Sequence, residues 1–220
     1  EIAEEIPGKI SDRLCKAARE NNIMVIAGLT ERDEERIYNS AILIDENGRI
    51  LLKHRKINVL FPDFYRVGNI LSVAETRLGT IGVNICADNF ISSLAIGHVQ
   101  ARMGAHFIFS PSSWAVEADH DNAKEPYGEM WLRAYRELCR LYEISIVGVS
   151  NVGWITDGPW KGKKVVGCSL AVGPTSEVLA KGPYGPDAEA LITINLRAQP
   201  RNVKGTGYAN YLKEKGYAGP

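Results

Sequence analysis

Cys86 is the residue whose sequence surroundings most favour nucleophilic chemistry. The five residues before it, 81–85, are of strand type, and the segment after it soon becomes helical. A cysteine at a sharp strand-to-helix turn projects its sulfur from the sheet edge, where backbone N–H groups help a thiolate and provide an oxyanion hole. A lone free cysteine is more often buried and inert, so spacing alone leaves both interpretations open.

Lys56 is the second candidate, at the end of the cationic run KHRK at residues 53–56. Such a run normally forms a solvated strand edge, and we adopt that interpretation for its first three residues. Lys56 differs because the residues after it are largely apolar. A lysine entering an apolar pocket must find a negative partner or lose its proton, and either state assists a nearby thiolate and oxyanion.

Composition excludes several classes of function. The 220 residues carry 26 Lys and Arg against 26 Asp and Glu, which argues against nucleic-acid and membrane-surface partners. No apolar run reaches the roughly 18 residues of a membrane span. Four widely spaced cysteines without a CxxC motif predict a reduced, cytoplasmic protein. Adjacent Asp119, His120 and Asp121 have no further His or Cys placed to join them, so no metal site is expected.

Hydrophobic periodicity predicts the elements that position these residues. Helices are expected at residues 11–21, 91–103 and 127–141. Strands are expected at 24–29, 38–44, 49–53, 70–74, 81–85, 106–110, 144–149, 167–172 and 190–196, and a loop or hairpin at 154–165. This alternation indicates an α/β layered fold with a mixed sheet. We expect one domain over residues 1–197 and a C-terminal tail over 198–220 that packs at a subunit interface.

Several ordered motifs resemble the carbon–nitrogen hydrolases of the nitrilase superfamily. They are RIYNSAILI with DENG at residues 36–48, HRK at 54–56, GTIGVNICAD at 79–88, and GA at 104–105 leading to SPSSW at 110–114. The segments at 146–153 and 167–180 follow in family order. Each motif alone is weak, but the ordered set with thirty residues between Lys56 and Cys86 is quite specific.

The resemblance implies a four-layer αββα sandwich and a Glu–Lys–Cys triad that needs no metal or organic cofactor. Cys86 is then the nucleophile, and Lys56 stabilises the tetrahedral intermediate together with the backbone N–H of Ala87. An acidic residue after the lysine often lies near the substrate in this family. Asp63 occupies that place and is a catalytic candidate, with an exposed turn residue as the equal alternative. Asp88 and Trp114 join Ala87 as expected substrate-binding residues.

The triad glutamate has no counterpart in these motifs. The first eight residues resemble the family's AExIPGP segment, which follows the base glutamate, so Glu1, Glu4 and Glu5 are not candidates for it. We therefore expect this sequence to lack the family's first strand, first helix and base glutamate. The resemblance also implies a homodimer or a higher homo-oligomer.

The expected activity is cysteine-dependent hydrolysis of a small amide or N-carbamoyl compound, through a thioester and with release of ammonia or an amine. Nitrile hydrolysis by the same triad is the alternative, although nitrile-cleaving members usually read Cys-Trp-Glu where this chain reads Cys86-Ala87-Asp88. A catalytically inactive member that acts as a binding or scaffolding protein is the alternative from another class.

Overall fold

The computed structural model describes residues 2–219, so Glu1 and Pro220 lie outside the described residues. The helices are α1 (Lys9–Asn21), α2 (Ala95–Arg102), α3 (Gly128–Tyr142) and α4 (Tyr208–Glu214). The strands are β1 (Val25–Asp33), β2 (Arg36–Ile44), β3 (Ile50–Arg55), β4 (Val73–Thr76), β5 (Gly79–Val83), β6 (Phe107–Ser112), β7 (Ala115–Val116), β8 (Ser145–Ser150), β9 (Val152–Trp154), β10 (Lys164–Val166), β11 (Leu170–Val172) and β12 (Val178–Lys181). Within residues 2–219, no helix has both the length and the apolar character that a membrane crossing requires.

The first sheet is the antiparallel meander β1-β2-β3, covered on one face by α1. Successive side chains of a strand point to opposite faces. Accordingly, Ile42 and Ile44 of β2 pack with Ala18 of α1, whereas Ala41 and Leu43 enter the main core on the other face. The alternation in one strand thus separates a helix layer from the interior of a sandwich.

The second sheet has six strands in the order β12-β11-β8-β6-β5-β4. Its central strands β5, β6 and β8 are parallel, and the outer pairs are antiparallel. The amphipathic helix α3 packs against β8 and β11 and buries Trp131, Tyr135 and Leu138 in the main core. Together with α2, α3 forms the fourth layer, so the predicted αββα sandwich is confirmed. A small third sheet, β7-β10-β9, contains the hairpin predicted at 154–165.

Two predicted elements differ in kind from the structure, and the strands expected at 70–74 and 167–172 each begin three residues later, at Val73 and Leu170. The helix expected at 91–103 is divided into a 3₁₀ turn, Ile91–Ser93, and α2, because the Ser93 hydroxyl donates to the carbonyl oxygens of Ala87 and Phe90 and closes the turn. Residues 190–196 form no strand. They lie mostly at the surface, with Leu191 98% exposed, and β12 occupies the sheet edge beside β11. An alternating pattern yields a strand only where a neighbour completes its hydrogen bonds.

The described part of the C-terminal segment folds onto its own chain. Helix α4 buries Tyr208 and Leu212 in the main core, near Tyr142 of α3. A subunit contact of residues 198–220 stays a prediction.

Candidate active site

Cys86 lies at a backbone turn just beyond β5. The strand ends at Val83, and a 3₁₀ turn, Cys86–Asn89, begins at the cysteine itself. Cys86 has φ +46°, a left-handed conformation that costs a non-glycine residue of the order of 1 kcal/mol and persists only where neighbours hold it. One such neighbour is Ser110, whose Oγ accepts a hydrogen bond from the Cys86 N–H at 3.0 Å.

A buried polar network fixes this turn. The Asn89 side-chain amide donates to the Asn84 side-chain oxygen and to Ser110 Oγ, both at 2.9 Å. The Asn84 amide donates to Gln100, whose own amide donates to the Val83 carbonyl oxygen at 2.8 Å. All of these side chains are buried. Buried hydrogen-bond networks rigidify their surroundings, so this network holds the backbone of the Cys86 turn, although the Asn89 side-chain oxygen has no partner among the described residues.

Parallel topology brings further groups to the same place. Because β5, β6 and β8 run in parallel, their carboxyl ends meet at one edge of the sheet, where open α/β sheets usually bind ligands. Cys86 follows β5, Ser113 follows β6 and Asn151 follows β8. Lys56 follows β3 of the facing sheet. All four residues line one cavity of about 720 Å³ between the two sheets.

The charge state of Cys86 depends on opposing influences. Burial raises the pKa of the thiol above 9.0, while the Lys56 ammonium and the backbone N–H groups of Ser113 and Ala87 lower it. Burial is the stronger influence, so the free protein favours the thiol. The sequence-based expectation that Lys56 and the turn assist the thiolate describes only the weaker side of this balance.

Lys56 is 4% exposed and is held through its backbone. Its N–H donates to the Asn39 carbonyl oxygen at 2.8 Å, and its carbonyl oxygen accepts from the Gly68 N–H at 2.9 Å. Among the described residues that line the cavity, Lys56 is the single charged residue and none is a carboxylate.

Asp88 connects the cysteine turn to the lysine strand. Its buried carboxylate accepts hydrogen bonds from the backbone N–H groups of Ile85, Ile57 and Asn58 at 3.1, 3.1 and 2.8 Å. It also lies 2.9 Å from His54 Nε2. One carboxylate, that of Asp88, therefore binds the backbone of the residue before Cys86 and of the two residues after Lys56. In the structure it positions both groups and does not line the cavity.

The residues before Lys56 do not form the solvated edge that was expected. His54 is 2% exposed and faces Asp88. Lys53 and Arg55 bind the buried carboxylate of Glu31, with nitrogen–oxygen distances of 2.6 and 2.7 Å. The cationic run is instead paired because Glu31 on β1 supplies a buried counter-charge that local sequence does not reveal.

The other predicted site residues lie in different places. Asp63 is exposed and does not line the cavity, so its catalytic role stays a prediction. Ala87 is buried, and its backbone N–H is one of the groups that lower the pKa of the Cys86 thiol. Trp114 is fully buried, stacks on Trp131 at 4.9 Å between ring centroids and is not one of the residues that line the cavity, so its substrate-binding role stays a prediction.

Three polar residues at the site were not singled out from the sequence. They are Ser110, which accepts from the Cys86 N–H, Ser113, whose backbone N–H lowers the pKa of the Cys86 thiol, and His54, which faces Asp88. Both serines belong to the SPSSW motif, in which the sequence predicts only the tryptophan as a functional residue. The proximity of these serines to Cys86 follows from the parallel pairing of β5 and β6, a long-range feature.

Comparisons with known proteins agree with this architecture. A family model described as carbon-nitrogen hydrolase matches residues 1–200. A nitrilase of Pyrococcus abyssi is 30% identical over 202 residues, which cover 89% of this chain and 69% of that protein. Omega-amidase NIT2-B of Xenopus laevis is 30% identical over 211 residues, covering 90% and 70% respectively. The crystal structure of a carbon-nitrogen hydrolase from Helicobacter pylori G27 superimposes with a TM-score of 0.71 at 24% identity, covering 81% of this chain and 64% of that one.

The αββα fold is thus shared with a solved carbon–nitrogen hydrolase. The chain belongs to the carbon–nitrogen hydrolase family. It spans about two thirds of the length of the three proteins compared above.

Proposed function

We propose that this protein hydrolyses a small amide or N-carbamoyl compound and releases ammonia. The observation that carries the proposal is the shared cavity of Cys86 and Lys56, with the N–H groups of Ala87 and Ser113 at the sulfur. A soft nucleophile, a cation and backbone N–H groups around one small volume are what acyl transfer from a poor electrophile requires.

The reaction then has two halves. The Cys86 thiolate attacks the carbonyl carbon, and the oxyanion that forms is stabilised by the Lys56 ammonium and the Ala87 N–H. The carbon–nitrogen bond breaks, the nitrogen takes up a proton, and ammonia departs. The acyl group stays bound to the Cys86 sulfur as a thioester. Water adds to the thioester, the carbon–sulfur bond breaks, and the acid product and the free Cys86 thiol are regenerated.

This scheme needs a general base that takes the proton of the thiol and later that of water. The described residues that line the cavity include no carboxylate. We propose that a glutamate outside these 220 residues supplies the base. Such a base also offsets the raised pKa of Cys86, because it accepts the proton when substrate is bound.

The two residues after the nucleophile favour an amide over a nitrile as the substrate. Cys86 is followed by Ala87 and by Asp88. The Asp88 carboxylate already accepts hydrogen bonds from the backbone N–H groups of Ile57 and Asn58, directly after Lys56. The likeness to a protein named omega-amidase supports the same preference, whereas the likeness to one named nitrilase supports the alternative.

A second candidate is a binding or scaffolding protein that keeps the fold without turnover. The absence of a carboxylate among the described lining residues favours it. The cheapest discriminator is the encoding gene, because an upstream in-frame strand, helix and glutamate would support the enzyme.

The test is ammonia release by the full-length gene product from propionamide, n-propylurea and propionitrile. Turnover of the amide or the urea, abolished in Cys86→Ala, is expected. Turnover of the nitrile alone would overturn the amide preference. Lack of ammonia from all three compounds would favour the scaffolding role.

A further inference from the structure

The walls of the cavity beyond Cys86 and Lys56 are mainly apolar. The apolar lining residues are Ile2, Leu29, Val59, Leu60, Phe61, Ile85, Pro111, Val149 and Trp160. Three of these are substantially exposed, Ile2 at 75%, Val149 at 56% and Leu60 at 42%. The remaining described lining residues are glycine or carry neutral polar groups, apart from Cys86 and Lys56 themselves.

Two aromatic rings from separate loops meet at this cavity. Phe61, five residues after Lys56, contacts Trp160 edge to face, with 5.2 Å between ring centroids. The Phe61 carbonyl oxygen accepts the N–H of Tyr65 at 2.8 Å, which stabilises its loop. Lys163 lies 5.6 Å from the Trp160 ring and is itself paired with Glu117. Both rings are therefore held where a ligand bound at Cys86 can reach them.

We propose that the substrate carries an uncharged, apolar acyl group that lies against Phe61 and Trp160. This inference rests on the proposed function and names its substrate class. A carboxylate at the far end of the acyl chain would lose hydration in this cavity without a further cation among the described lining residues to compensate, because Lys56 is engaged at the nucleophile. A cavity of about 720 Å³ also has room for an acyl chain well beyond two carbons.

Two substrates of equal length separate the charge from the size of the acyl group. Hexanamide is neutral, and 6-amino-6-oxohexanoate carries a terminal carboxylate on a chain of the same length. For the full-length enzyme we expect kcat/KM at least about 100-fold higher for hexanamide, as an unpaired charge in an apolar site demands. From propionamide to hexanamide, kcat/KM should rise about fourfold per methylene, the ratio for burial of one CH₂.

Trp160 and Trp154 form a matched pair of variants in the β9–β10 hairpin. Trp160 lines the cavity, whereas Trp154 is 52% exposed and does not. Trp160→Ala should lower kcat/KM for hexanamide about tenfold or more and for propionamide much less. Trp160→Phe, which keeps an aromatic face, should retain most of the hexanamide activity, and Trp154→Ala should behave as the wild type.

Protection of Cys86 from iodoacetamide gives a readout that does not need turnover. Hexanamide should slow the alkylation of Cys86 at concentrations where 6-amino-6-oxohexanoate does not. If neither the two amides nor n-propylurea are hydrolysed but hexanamide alone protects, the acyl site stands and the proposed function fails. Hydrolysis of the anionic amide as fast as hexanamide, or equal protection by it, overturns the acyl site while the proposed function stands. Absence of both hydrolysis and protection overturns both.

Discussion

At the residue scale, Cys86 and Cys139 show how the same side chain takes different roles. Both are buried, and burial raises the pKa of both thiols. Cys139 is packed in the core, with the Val172 carbonyl oxygen 3.7 Å from its sulfur. Cys86 opens on a cavity beside a cation and two N–H groups. Access and charge, rather than depth of burial, distinguish the candidate nucleophile.

Replacing Cys86 separates function from packing. Cys86→Ala should lower turnover of the full-length enzyme by roughly a thousandfold or more, because the nucleophile is removed. The loss of unfolding free energy should stay near about 1 kcal/mol, because a sulfur at a cavity mouth leaves little void. Cys86→Ser should be nearly inactive too. Mass mapping should show wild-type Cys86 reacting with iodoacetamide faster than Cys15, Cys139 and Cys168, and slow labelling with normal activity of the alanine variant would contradict this role.

The pH dependence of alkylation tests the influence of Lys56. Because the pKa of Cys86 lies above 9.0, the thiolate fraction and the alkylation rate should rise continuously from pH 7 to pH 9. Lys56→Met removes a cation that lowers this pKa, so alkylation at pH 8 should be slower and the rise should move to higher pH. Lys124→Met, on the exposed part of the chain, is the control. An unchanged profile in Lys56→Met would show that the two groups do not interact.

Asp88→Asn tests whether Asp88 positions the two reactive groups. An amide NH₂ in place of one carboxylate oxygen would face backbone N–H donors and could not accept their hydrogen bonds. The residues directly after Lys56 would therefore shift. We expect kcat to fall about 100-fold, as misplacement of a catalytic group by 1 Å can cause. Cys86 alkylation should also shift towards the Lys56→Met profile, which a general loss of stability would not produce. Asp119→Asn, an exposed substitution, is the control, and unchanged kcat in Asp88→Asn would refute the positioning role.

At the scale of elements, the first sheet ends in an ionic network that aligns β3. Glu31 on β1 accepts hydrogen bonds from Ser40 on β2 and from Lys53 and Arg55 on β3. Burial opposes ionisation of Glu31, but these donors lower its pKa to about 2. Since Lys56 directly follows β3, the network sets the position from which the lysine enters the cavity.

Glu31→Gln should weaken this sheet in a pH-dependent way. Removal of the Glu31 carboxylate leaves Lys53 and Arg55 partly buried without this counter-charge. The loss should cost about 3 kcal/mol of unfolding free energy near pH 7. In the wild type, the contribution of Glu31 is present above its ordinary pKa of 4.5 and is lost as the pH falls towards about 2. Denaturant unfolding at several pH values should therefore show a flatter acid limb in the variant. Glu137→Gln, in a surface pair with Arg140, should cost less than about 1 kcal/mol, and equal costs would contradict the role of the network.

At the scale of the whole molecule, one helix layer leaves apolar side chains exposed. Ile91, Val99 and Met103, at and around α2, and Met130 of α3 are each more than two fifths exposed. These residues belong to the layer that covers the six-stranded sheet, and symmetric pairing of such a face is the commonest way to bury it.

We therefore predict a homodimer or a higher homo-oligomer. Light scattering of the full-length protein at micromolar concentration should give at least twice the monomer mass. Val99→Lys with Met103→Lys should shift the protein towards the monomer, whereas Leu78→Lys, on the exposed β4–β5 turn, should not. A stable wild-type monomer would contradict the prediction.

Local sequence determined most elements and the two candidate reactive residues of this protein. Periodicity identified most helices and strands, and the motifs around Lys56 and Cys86 identified the family, because side-chain patterns report which face of an element is buried. Strands whose hydrogen bonds depend on a distant partner were the exception, as residues 190–196 show.

Only the tertiary structure decided what surrounds those residues. It placed Asp88 and Trp114 outside the lining of the cavity, brought Ser110 and Ser113 to the cysteine, and gave Lys53 and Arg55 a buried partner. The physical reason is that hydrogen bonds and ion pairs join groups that are far apart in the chain. Sequence patterns specify which side chains must be satisfied, whereas the packing of the two sheets selects the groups that satisfy them.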